Sequence, residues 1–137
     1  MKKKLSAVLA AIIVIAAISV AVILWPVKTV EKALLIRNLS DYPINTVNIV
    51  TEEGRGSWDN RIHLIGFDDK PLTPGEERKI AINIPEKDLT KGWCFSASGH
   101  VGDTGVGHED MVGKIWEDEV EGFSIRYDGE NFQFTKL

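Results

Sequence analysis

The chain has 137 residues, is 44% hydrophobic, and carries 20 acidic against 16 basic residues for a net charge of −4, enough material for one ordinary domain beyond any targeting segment. With Lys2, Lys3 and Lys4 set aside, 13 basic residues face 20 acidic ones, and such a surface repels phosphate, so nucleic-acid binding is disfavoured. The one cysteine, Cys94, excludes an internal disulfide and lies too far from the N-terminus to carry a lipoprotein anchor.

Residues 1–4 form a basic tail ahead of an uncharged run of 21 residues, Leu5 to Trp25, closed by Pro26. At ~1.5 Å per residue a helix over this run spans about 31 Å, matching the hydrocarbon core of a bilayer. Signal-peptide cores usually have ~7–15 apolar residues, so the run reads as a retained single-pass transmembrane signal anchor over 5–25. The alternative is cleavage near Ala21, after Ser19-Val20-Ala21, and secretion. The clustered lysines and the α-amino group favour a cytoplasmic N-terminus and an extracytoplasmic C-terminal domain, with Trp25 at the outer interface. Ala7/Ala11 and Ala17/Ala21 have the small-xxx-small spacing of helix-packing faces.

After a linker over 26–30, residues 31–137 read as an all-β domain, a small antiparallel β-sandwich of about 6–8 strands. Ala33 to Leu39 is the first strand, Ser40-Asp41-Tyr42-Pro43 a turn, and Ile44 to Thr51 a strand with Val47 and Ile49 on one face and Thr46 and Asn48 on the other. Gly54-Arg55-Gly56-Ser57 interrupts, and Arg61 to Gly66 resumes, with His63 pointing outward. In Leu72-Thr73-Pro74-Gly75-Glu76, proline presets φ and glycine takes the left-handed position of a turn. Arg78 to Ile84 follows, with Ile80, Ile82 and Ile84 on the buried side, and then Trp93 to Ser98. Placing Asp128-Gly129 as a two-residue turn pairs Ile125 with Phe132 and Phe123 with Phe134.

Three stretches together carry a resemblance: Asn38-Leu39-Ser40-Asp41-Tyr42-Pro43-Ile44, Ser57-Trp58-Asp59 ahead of Leu64-Ile65-Gly66, and Leu72-Thr73-Pro74-Gly75-Glu76. Over residues 34–95 the chain resembles a family of small exported β-sandwich modules of unknown function. Trp93-Cys94-Phe95 is similar to a strand of those modules, whereas the glycine-rich stretch after it departs from their pattern. The resemblance implies the fold and export, and no catalytic residue.

Candidate chemistry concentrates in Gly99 to Asp110, with two histidines, three acids and four glycines. His100, Asp103, His108 and Glu109 could hold Ca²⁺ or Zn²⁺, although the spacing matches neither a His-Glu-x-x-His helix nor a calcium loop, and a solvated connection between strands is the plainer expectation. Gly107 to Lys114 has the wrong spacing for a phosphate loop. The acidic run Glu117 to Glu121 reads as solvated surface. Trp58 and Trp116 are candidate stacking platforms for a ligand, with core or rim packing as the alternative. Cys94 reads as a packed small thiol rather than a nucleophile. Asn38-Leu39-Ser40 is a glycosylation sequon, relevant in a glycosylating cell.

The expected function is a membrane-anchored, extracytoplasmic, non-enzymatic binding or interaction module without a cofactor. One alternative is a cation-dependent binding protein or small hydrolase using the His100–Asp110 loop. Another is an accessory subunit of a membrane complex, with a protein partner held through the anchor.

Overall fold

The computed structural model describes the backbone of residues 2–23 and 27–137, and the side chains of all of these except residues 2, 3, 5 and 20–23. Helix α1 covers Lys2–Ile23, and Val8, Ile12, Ile13 and Ile15 on it are 57–65% exposed. The expected span over 5–25 is therefore only partly within view, since residues 24–26 lie outside the described residues. Among the described residues no helix is long and apolar enough to cross a membrane.

Eight strands follow: β1 (Thr29–Asn38), β2 (Ile44–Thr51), β3 (Ile62–Ile65), β4 (Glu77–Pro85), β5 (Trp93–Val101), β6 (Thr104–Gly113), β7 (Gly122–Tyr127) and β8 (Phe132–Lys136). They form two four-stranded sheets, sheet A in the order β4-β1-β7-β8 and sheet B in the order β3-β2-β5-β6. The expected sandwich is thus present as two sheets of four. β1 begins at Thr29, two residues ahead of the expected start of the domain at 31, and pairs its first residues with the end of β4.

The sandwich is not purely antiparallel, for β1 and β7 run parallel, with Leu35 opposite Gly122 and Ile36 opposite Phe123. Here the backbones approach closely, and a Cβ on Gly122 would lie 2.0 Å from the Leu35 carbonyl oxygen. Glycine is the residue that fits.

The core lies between the sheets, built from Leu34 and Ile36 of β1, Val47 and Ile49 of β2, Ile82 and Ile84 of β4, Trp93 and Phe95 of β5, and Phe123 and Ile125 of β7. Phe95 of sheet B bridges the layers, its ring centroid 4.3 Å from that of Phe123 and 5.5 Å from that of Phe134 in sheet A. Alternation along β4 delivers Ile82 and Ile84 inward as the sequence implies, with Ile80 half-buried at the margin.

Two connections explain sequence motifs that are not strands. In Asn38-Leu39-Ser40 the asparagine is fully buried: its amide donates to the carbonyls of Tyr42 and Leu72, both at 2.8 Å, and its oxygen accepts from the Ser40 backbone and hydroxyl. This is a structural corner linking the β1–β2 turn to Leu72, so the sequon is not an accessible acceptor. At Thr73-Pro74-Gly75-Glu76 the Glu76 amide closes on the Thr73 carbonyl at 3.0 Å with Gly75 at φ +79°, as the turn chemistry requires.

The last hairpin is shifted from expectation. Tyr127 pairs with Phe132 and Ile125 with Phe134, leaving four residues, Asp128 to Asn131, in the turn. Asp128 causes this, because its carboxylate accepts from the backbone N–H groups of Glu130 and Asn131 at 2.8 and 2.7 Å and wraps the chain around itself. A shift of two residues leaves every side chain on its expected face.

Candidate functional site: a polar groove on the outer face of sheet B

The expected loop over Gly99–Asp110 is instead a continuous β-hairpin. Val101 pairs with Thr104 around a two-residue turn in which Gly102 has φ +63°, the first position of a type II′ turn. The hairpin disperses the expected cation ligands. Asp103 sits at the exposed tip, and His100 lies against Asn45, with Nδ1 3.1 Å from the amide nitrogen. His108 and Asp110 pair with each other at 2.6 Å and stand opposite Ala97 and Phe95, on the core-facing side of the edge strand. Glu109 points the other way. His100 shares its outer face, but the register sets them about four residues apart along the strands, roughly 13 Å at ~3.3 Å each. Among the described residues no group of three or more His, Cys, Asp or Glu is placed to hold a metal ion.

Trp116 packs into the core margin, edge-on to Trp93 with centroids 6.1 Å apart, and does not offer a platform. Cys94 is 1% exposed, and burial pushes its thiol up from the ordinary range, against the opposing pull of the Arg55 guanidinium. Such a thiol is a poor nucleophile.

Trp58 stands differently. The β2–β3 connection folds back over the outer face of sheet B, held by Gly54 against Val50 and by two single 3-10 turns, Glu52–Gly54 and Trp58–Asn60. It delivers Trp58, 61% exposed, to the rim of a groove of about 320 Å³. Phe67 reaches the same groove from the turn after β3, where Asp69 ties back to the Gly66 amide, and is 80% exposed.

The floor is made by strand alternation. In the paired register, Asn48 of β2, Ser96 of β5 and Glu109 of β6 form one row across the sheet, and Thr46, Ser98 and Gly107 form the next. Thr46 and Asn48 are 5% and 7% exposed, each with a side-chain partner: Thr46 bonds the Ser98 hydroxyl, and the Asn48 oxygen accepts from the His63 ring. Asn48 lines the groove, and among the described residues the buried side-chain polar atoms without a partner are Arg61 Nε, beside this floor, and Trp116 Nε1. Gly107 leaves the trough open, since a Cβ there would meet nothing nearer than Ser98 at 3.9 Å.

Arg61 spans this floor. From the position just before β3 its guanidinium reaches the Ser96 hydroxyl at 3.4 Å and the Glu109 carboxylate at 3.3 Å, and lies 5.4 Å from the centre of the Trp58 ring. Glu109 is also bound by Arg55 at 3.2 Å. Two guanidinium groups thus share one carboxylate, leaving one positive charge in excess, and the cation–π contact holds one face of Trp58 while the ring stays 61% exposed. Comparison with protein families, curated proteins and solved structures finds no match for this chain.

Sequence reasoning singled out Trp58 but not its companions. Phe67 carried a readable signal, an aromatic residue inside the turn sequence Gly66-Phe67-Asp68-Asp69, where no strand could bury it. Arg61 and Asn48 carried none, because their roles arise from pairing between β2, β5 and β6.

Proposed function

We propose that the protein is a membrane-anchored, extracytoplasmic, non-enzymatic binding module whose ligand surface is the outer face of sheet B. The observation that carries this reading is the groove itself: two exposed aromatic rings over a floor of paired, mostly neutral polar side chains, at the small end of the ~300–1,000 Å³ range of ligand clefts. The anchor reading rests on the uncharged run Leu5 to Trp25, and the side chains of residues 6–19 are exposed rather than packed on the domain. The lysine cluster ahead of it supports an extracytoplasmic domain, and the resemblance to exported modules agrees with that placement.

The test uses the full chain in lipid nanodiscs and a panel of small polar probes: sugars, amino acids, dicarboxylates and nucleotides. Calorimetry, supported by intrinsic tryptophan emission, is the readout, and Gly107→Phe, which fills the trough where a side chain has room, is the control. Binding of any probe by the parent and not by the filled variant supports the reading. Absence of binding across all four classes overturns it.

A further inference from the structure

We infer that the groove takes a saccharide, a pyranose ring stacked on Trp58 with Phe67 closing the other side and the sheet floor reading its hydroxyls. The inference rests on the groove being the ligand surface proposed above, and goes further by naming what fills it. A pyranose has an apolar face of C–H groups and a rim of hydroxyls that both donate and accept, so it needs an aromatic plane beside neutral, bifunctional polar groups.

The groove offers that pairing. Trp58 and Phe67 are 61% and 80% exposed in a domain whose other aromatic side chains are buried or half-buried. An exposed pair at one groove marks a contact surface rather than leftover packing. The floor residues Asn48, Ser96 and Ser98 carry amide and hydroxyl groups and no formal charge. Asn48 is 7% exposed and lines the floor of the groove.

Charge selects against cationic ligands. Glu109 is held by both Arg61 and Arg55, so a polyamine meets no free carboxylate there. The aromatic pair flanks a trough kept open by Gly107, a shape that suits a ring lying flat.

The experiment is titration of the full chain, in nanodiscs free of glycolipid, with neutral gluco-, xylo-, manno- and chito-oligosaccharides, uronic-acid oligosaccharides and an unstructured peptide mixture, read by calorimetry and Trp emission. At least one oligosaccharide class is expected to bind. Trp58→Ala should weaken it by about tenfold or more, with Phe67→Ala and Asn48→Ala each giving a measurable loss. Trp58 and Phe67 are surface residues, so unchanged melting curves will confirm that these two variants fold. No oligosaccharide binding while the peptide or another small probe binds in the groove overturns the saccharide inference and leaves the binding-module reading standing. No binding by any probe overturns both. Oligosaccharide binding that survives Trp58→Ala and Phe67→Ala undiminished places the sugar elsewhere and also overturns the inference.

Discussion

Asn38 shows how one side chain can determine a motif's meaning. It satisfies two backbone carbonyls and receives two hydrogen bonds at a fully buried corner, so Asn38→Ala leaves several buried polar groups without partners. The expected loss is about 2–4 kcal/mol, read as a lower midpoint in urea unfolding at unchanged slope. Asp128 acts at the surface instead. Backbone N–H groups of Asn131 and then Glu130 hold its carboxyl below the usual carboxylate range. A carboxyl with a depressed folded value contributes stability above its unfolded value, near 3.8, and loses it as pH falls through the folded value. Asp128→Asn should therefore melt below the parent at pH 7 and together with it at pH 2. Cys94, buried between the strands with its thiol pushed up, should react with an aromatic disulfide reagent only after denaturant is added, and fast labelling of the folded chain would contradict its placement.

At the scale of elements, the two hairpins teach opposite lessons. Alternation in β7 and β8 was legible, and every side chain lies on the expected face, yet the register was not, because periodicity of two cannot distinguish pairings that differ by two residues. The hydrogen bonds of Asp128 make that choice. In β5–β6 the glycines and mixed polar residues hid a strand behind the composition of a loop. Gly105 and Gly107 suit β6 because it is an edge strand whose outer face forms the floor of an open trough. Because the hairpin disperses His100, Asp103, His108 and Glu109, added Ca²⁺, Zn²⁺ or chelator should leave the melting temperature unchanged, where a site saturated at 100 times its Kd would add about 2.7 kcal/mol. Gly122 marks the parallel junction of β1 and β7. Gly122→Ala forces a Cβ onto a backbone carbonyl and should cost at least about 3 kcal/mol, seen as loss of cooperative folding or a large fall in melting temperature.

For the whole molecule, the β1–β2, β3–β4, β4–β5 and β6–β7 connections cross between the sheets, so neither sheet is contiguous in sequence. Folding must close these long-range pairings together, and a core substitution such as Phe95→Ala, at the meeting point of both layers, should cost about 3–5 kcal/mol. The proposed anchor makes a separate prediction at this scale. A lysine at the centre of a membrane helix costs ~2.5–3.5 kcal/mol, so Ile13→Lys combined with Ile15→Lys should move the chain out of the carbonate-resistant membrane fraction while the domain's own melting transition is unaffected. Retention of the double variant in that fraction would sink the anchor reading.

The amino-acid order by itself determined the elements: an uncharged N-terminal run, alternating strands, and turns marked by Pro74-Gly75 and the Asp128 hairpin, because periodicity and turn chemistry are local properties. It also marked Trp58 as worth watching. Only the tertiary structure decided that β1 and β7 run parallel, that the glycine-rich stretch is a strand, and that Arg61, just before β3, reaches Glu109 on β6. Those outcomes depend on which strands become neighbours. That choice is made by burying Phe95, Phe123 and their partners between two sheets, and residues remote in the chain reach one groove as a consequence.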